Sequence, residues 1–162
     1  MAPPLLDPAT LRWQWATLDE LTAPEWYAVM AARSAVFVVE QDCVYQDLDG
    51  RDLDAHHLMA WYGDAGPEVA AYLRTFAPGV RCAEASLGRV ITTAPARGLG
   101  IGHDLLARAL GGIDERHGPV PVLIHAQAHL DRFYGRHGFE VVSEPYLEDG
   151  IPHLTMRRPA PS

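Results

Sequence analysis

The segment Arg97-Gly-Leu-Gly-Ile-Gly102 places three glycines at alternate positions immediately ahead of an apolar helical pattern. Glycine reaches backbone dihedrals closed to other residues and lets the chain approach a ligand closely. Successive N–H groups can therefore converge on one anion where a helix begins. That is the chemistry of a pyrophosphate cradle. Spacing excludes two common versions of it. A P-loop closes on Gly-Lys-Ser/Thr, whereas Gly102 is followed by His103 and Asp104, so ATP or GTP hydrolysis is disfavoured. A dinucleotide fingerprint needs a further glycine at 103 counted from Gly98, or at 105 counted from Gly100; these positions hold His and Leu. Nicotinamide and flavin cofactors are disfavoured with it.

Other chemistry is weakly supported. No Gly-x-Ser-x-Gly elbow occurs, and Cys43 lies among acidic residues with no cation to lower its pKa, which favours a buried, inert thiol. His125 and His129 have the spacing of a helical ligand pair, but they follow the strand signal Val122-Leu-Ile. Extended chain would hold them ~13 Å apart, so no metal site is expected.

These residues must be positioned by elements that the pattern locates in turn. Trp13 to Thr17 alternates as a half-buried strand does. Thr22-Ala-Pro-Glu25 fits a capping box, flanked by Leu21 and Trp26 as a hydrophobic staple, and predicts a helix whose apolar positions run from Trp26 through Val29 and Met30 to Phe37. The acidic stretch Glu40 to Asp54 reads as a long loop, and the charges of Arg51 to Asp54 as a solvated part of it. Strands follow at His57–Tyr62, Val69–Phe76 and Leu87–Thr93, separated by Gly- and Pro-rich turns, as in an antiparallel meander. Then come a helix (Gly102–Ile113), a strand (Val120–Ala126), a helix (Leu130–His137) and strands at Phe139–Pro145 and His153–Arg157. The expected fold class is α+β, with one mixed sheet, because the later strands are joined through helices.

Composition narrows the class further. A chain of 162 residues, 48% apolar, suits one compact domain: residues 11–158, with loose tails at 1–10 and 159–162. Two cysteines are too few for a disulfide framework. The opening MAPPLLDPAT lacks a signal-peptide pattern and no run approaches the roughly 20 apolar residues of a membrane span, so a cytoplasmic location is expected. A formal net charge of −8, with 13 scattered basic residues, disfavours nucleic acid and permits a cationic amine.

Read as Arg97-x-x-Gly100-x-Gly102, the cradle resembles that of the GNAT family of acetyl-coenzyme A dependent N-acetyltransferases, and Phe133-Tyr-Gly-Arg-His-Gly-Phe139 extends the likeness over nearly the whole chain. Arg33-Ser-Ala-Val-Phe-Val-Val-Glu-Gln41, Tyr45-Gln-Asp-Leu-Asp-Gly50, Ala126-Gln-Ala-His129 and Glu148-Asp-Gly-Ile-Pro-His153 resemble signatures of its ElaA-like branch; Val44 departs from them, since that branch typically has proline there.

The resemblance implies a single domain with a mostly antiparallel, twisted mixed sheet, flanking helices and a splayed parallel strand pair. It implies acetyl-coenzyme A as co-substrate, without a metal. Arg89, Val90 and Ile91 would hold the pantetheine arm, and Arg97, Gly98, Leu99, Gly100, Ile101 and Gly102 the phosphates. A primary amine, on a small molecule or an exposed protein residue, would attack the thioester directly. Tyr134 would contact the cofactor and act as general acid toward the departing thiolate. By spacing alone Tyr134 reads as a core residue with a satisfied hydroxyl, because it shares a helical face with Leu130 and Phe133. Glu40, Asp47, Glu148 and His153 lie in the stretches that would meet the amine, with His153 or Glu40 as base. A homodimer is allowed, and a non-catalytic coenzyme A sensor is the alternative.

Overall fold

The computed structural model describes residues 5–64 and 66–162; Met1–Pro4, the start of the expected N-terminal tail, lie outside the described residues. The strands are β1 (Arg12–Ala16), β2 (His56–Tyr62), β3 (Glu68–Phe76), β4 (Ala85–Thr92), β5 (Val122–Gln127), β6 (Glu140–Val141), β7 (Tyr146–Glu148) and β8 (Ile151–Arg158). The helices are α1 (Ala23–Arg33), α2 (Ile101–His117) and α3 (Asp131–Gly135). Hydrogen-bonded order runs β1-β2-β3-β4-β5-β8-β6, with β7 paired to β8. The sheet is mixed and mostly antiparallel, as expected, and β4 with β5 is the parallel pair. Their ladder covers only Ala85↔Val122 and Ser86↔Leu123.

The chain forms two compact units, residues up to 74 with 89–105, and residues 75–88 with 106–162. In the first, α1 starts where its capping box requires: the Glu25 N–H donates to Thr22 Oγ1 at 3.2 Å, and the Glu25 carboxylate accepts from the Thr22 N–H at 2.9 Å. Val29, Val36, Met59, Trp61, Val69, Tyr72 and Ile91 form the core, and Leu21, Trp26 and Phe37 pack on it. Ser34–Glu40 continues α1 as a wider π turn, so the expected long loop begins later, at Gln41. π turns recur at functional sites because they re-aim side chains off the helical register.

In the second unit, β5 pairs antiparallel with β8 from Val122↔Arg158 to Gln127↔His153. The period of two buries Val122, Ile124, Ala126, Leu154 and Met156 on one face, and puts His125, Gln127, His153 and Thr155 on the other. The strand expected at Phe139–Pro145 is reduced to Glu140–Val141, and Tyr146–Glu148 pairs with β8 instead. Glu148 to His153, expected to be a substrate loop, is largely a hairpin. Asp149 (φ 51°) and Gly150 (φ 75°) make its two-residue turn, because left-handed residues match the twist of the strands they join. Helix α2 buries the stripe Ile101, Leu105, Leu106, Ala109, Leu110 and Ile113, at the spacing of one helical face.

Candidate active site

The first unit holds the glycine segment. Gly98 and Gly100 have φ of 77° and 78°, and a Cβ built on either would meet nothing within 4 Å. Their glycine is therefore required by backbone conformation and not by space. The Gly100 carbonyl accepts from the His103 and Asp104 N–H groups, which starts α2. Ahead of it, the N–H groups of Gly98, Leu99, Gly100, Ile101 and Gly102 make no hydrogen bond of good geometry among the described residues. Amides without a well-aligned partner at the positive end of a 17-residue helix form an anion-binding surface. Beside them, the Arg97 guanidinium donates to the Thr92 carbonyl at 3.1 Å and to Glu40 at 2.7 Å, with both side chains close to half exposed.

An ion network, buried at Arg33, Arg74, Asp47 and Asp52 and partly open at Asp49 and Arg89, occupies the same unit. Arg33, fully buried, donates through Nε to Asp47 (3.0 Å), through Nη1 to Asp52 (2.7 Å) and through Nη2 to the Asp47 carbonyl (2.9 Å). Arg74, also buried, grips Asp49 with both terminal nitrogens (2.8 and 2.6 Å) and reaches Asp52 at 2.9 Å. Arg89 completes it: Nε lies 2.7 Å from Asp47, an ion pair too bent to count as a hydrogen bond, and Nη2 donates to the Asp47 carbonyl at 3.1 Å. Three guanidiniums thus face three carboxylates, which is how charges survive burial. Burial pushes the Asp49 carboxyl up, but its bonds from Arg74 and the Arg51 amide, with the charges of Arg74 and Arg89, outweigh this and hold it well below the usual carboxylate range. Burial, opposed by Arg89 and reinforced by Asp47, raises the Tyr45 phenol to about 12.

His57 closes the network from behind. Its Nε2–H donates to the Asp52 carbonyl at 3.0 Å, which leaves Nδ1 to accept from the Tyr72 hydroxyl at 2.6 Å. Burial lowers its pKa and keeps the ring neutral, against the opposing pull of Asp52.

The second unit holds Tyr134, Glu148 and His153. The Tyr134 ring is buried against the edges of Phe133 and Phe139, yet its hydroxyl makes no hydrogen bond among the described residues. Burial raises its pKa far above the ordinary phenol value, so it is a neutral donor. The β7–β8 register puts Tyr146, Glu148 and His153 on one face. His153 Nδ1–H donates to the Ile151 carbonyl at 2.7 Å, and Nε2 sits 3.4 Å from Glu148. The Nε2 lone pair is therefore the one available for a proton. His125, Tyr146 and Thr155 join through their side chains at 2.8 and 3.1 Å on the same polar face.

Residues 28–159 match the model of the acetyltransferase (GNAT) domain. The chain belongs to the GNAT acetyltransferase family. It is 41% identical over 150 residues to ElaA of Escherichia coli K12, covering 91% of this chain and 96% of that one. A UPF0039 protein of Mycobacterium tuberculosis H37Rv is 40% identical, with 92% of each chain covered. Among solved structures, an acyl-CoA N-acyltransferase from Pseudomonas aeruginosa superposes with a TM-score of 0.86 at 46% identity, covering 92% of this chain and 99% of that one. Escherichia coli ElaA gives 0.84 at 40% identity over the same shares. This GNAT protein is thus an acyltransferase of the ElaA-like branch, and its family uses acetyl-coenzyme A as co-substrate with amine acceptors.

Within this GNAT acyltransferase the structure brings Glu40 to Arg97, Asp47 to Arg89, and Glu148 to His153. Arg89 to Ile91 and the glycine segment lie in the first unit. Asp47, read from sequence as a substrate contact, has its carboxylate engaged by Arg33 and Arg89. Asp52, read as part of a solvated loop, is buried between Arg33 and Arg74. The sequence reading missed Arg33, Arg74 and His57. One signal was present: Arg74 stands inside the apolar run Val69–Phe76, and a charge there demands a buried partner. No helix is long and apolar enough to cross a membrane among the described residues.

Proposed function

We propose that this chain moves an acetyl group from acetyl-coenzyme A to a primary amine, on a small molecule or an exposed protein residue, by direct attack in the cytoplasm. The observation that carries the reading is the run of free amides from Gly98 to Gly102 at the start of α2. Successive donors with no well-aligned internal acceptor fit a diphosphate, whose oxygens replace the water those donors would otherwise bind. Arg97 adds a charge at the same segment, and the Glu40 carboxylate it now holds is exposed enough to yield to a phosphate. When bound, acetyl-coenzyme A supplies an activated carbonyl and a thiol leaving group.

The chain's own residues supply positioning and proton transfer. Tyr134 is assigned the proton that goes to sulfur. Its phenol is neutral, its hydroxyl is unspent on the protein, and a tyrosine kept only for packing would normally have that hydroxyl satisfied. His153 is assigned the removal of a proton from the ammonium form of the amine. The bond from Nδ1 fixes the tautomer, and Glu148 stabilises the imidazolium once Nε2 is protonated. Glu148 also favours a cationic acceptor.

Thiol release from acetyl-coenzyme A across a panel of primary amines, run beside calorimetric titration with coenzyme A, tests the proposal. Expected are saturable release with at least one amine and binding that weakens in Arg97→Ala and Gly100→Ala. Binding indifferent to both substitutions overturns the cradle. Tight binding without release on any amine points to a coenzyme A sensor instead.

A further inference from the structure

Arg89 carries a φ of 53° inside strand β4. Among the described residues the other non-glycine ones with positive φ are Asp42 and Asp149, short polar side chains of a type that tolerates the left-handed region. An arginine in mid-strand has no such excuse. Its conformation persists only where its surroundings over-determine it.

The guanidinium is fixed by Asp47 Oδ1 at 2.7 Å, the Asp47 carbonyl at 3.1 Å and Asp49 at 3.4 Å, and it lies over the rings of Tyr45 (5.2 Å) and Phe37 (6.0 Å). Asp47 and Asp49 are themselves immobilised by Arg33 and Arg74, both buried. Two residues along, Ile91 is anchored in the core. The side chain is thus pinned on the loop while the next stretch of strand is pinned below. A left-handed residue between those anchors turns its peptide planes out of the pleat, as in a β-bulge.

We propose that the Arg33–Arg74–Asp47–Asp49–Asp52 network is a lock that holds Arg89 left-handed and so aims the peptide groups of Arg89 and Val90 at the cofactor's pantetheine arm. Arg89 is then a positioning residue and not a ligand for phosphate, since its Nε and Nη2 are engaged by the loop. The lock rests on the reading of β4 as the cofactor-binding strand, and its test separates the two.

Arg89→Gly, Arg89→Asn and Arg89→Ala all remove the charge but differ in their tolerance of positive φ. The lock predicts coenzyme A affinity in the order Gly, Asn, Ala, with Ala about tenfold weaker than Gly. Asp49→Asn, in the Arg89 chain, is expected to weaken coenzyme A several-fold and to raise the KM for the thioester more than it lowers kcat. In the Arg89→Gly background the same substitution is expected to do nothing further to affinity. Urea unfolding of the free protein gives a reading that needs no ligand: Arg89→Gly should be more stable than Arg89→Ala. Equal affinities and equal stabilities for the Gly and Ala variants overturn the lock. If the native chain fails to bind coenzyme A while the urea order holds, the lock stands and the cofactor reading of β4 fails.

Discussion

Replacing Tyr134 by phenylalanine separates a catalytic hydroxyl from a packing one, because the two readings predict stability changes of different size. The ring contacts with Phe133 (centroids 5.1 Å apart) and Phe139 (5.9 Å) survive the substitution. The hydroxyl has no hydrogen bond to the protein to lose, so removing it forfeits none of the usual 0.5–1.5 kcal/mol. The urea midpoint should therefore stay where it is. Turnover should fall by about a hundredfold or more, the ordinary contribution of a positioned acid and about 2.7 kcal/mol at the barrier, with coenzyme A affinity little changed. Because burial raises the phenol's pKa, the loss in rate should be uniform from pH 6 to 9. Thiol release under saturating substrates and urea titration of both chains read all of this. A variant that loses about 2 kcal/mol of stability and keeps its rate would remove Tyr134 from the chemistry, since that is the pattern of a satisfied core tyrosine.

Asp52→Asn leaves Arg33 and Arg74 short of a carboxylate they reach at 2.7 and 2.9 Å, and should cost about 3–5 kcal/mol in urea unfolding; a loss under 1 kcal/mol would show the network to be solvated. Glu40→Gln frees Arg97 from its 2.7 Å partner and is expected to tighten coenzyme A binding two- to threefold with kcat preserved, whereas a collapse of kcat at unchanged affinity would make Glu40 the base. His57, buried neutral, has a folded pKa below its ordinary 6.5, so the unfolded chain binds the extra proton. Stability is then lost as pH falls through 6.5, at no more than about 1.4 kcal/mol per pH unit from this group, and His57→Gln should flatten that slope between pH 7 and 5; an unchanged slope rules His57 out.

Much of the architecture was legible because its signals are local. The capping box at Thr22 and Glu25 appears in the structure bond for bond, and the apolar spacing of α2 matches its buried stripe. The β7–β8 hairpin was misjudged as loop because Asp149-Gly150 looks like generic loop chemistry until both residues are seen at positive φ between paired strands. The strand expected at Phe139–Pro145 shrank to two residues because apolar character there does not by itself find a ladder partner.

The glycine segment was legible in residue type and spacing, since it depends on neighbours within a few positions, whereas Tyr134 and His153 became candidates only through the family resemblance, spacing alone reading Tyr134 as a core residue. The roles of Asp47, Asp49 and Asp52 were not legible. Their partners are Arg33 on a helix, Arg74 in β3 and Arg89 in β4, 14 to 42 residues away along the chain. A carboxylate in a solvated loop and one buried between two guanidiniums, as Asp52 is, look the same in one dimension. Only the folded chain decides between them, because desolvation and pairing are properties of where the charges meet.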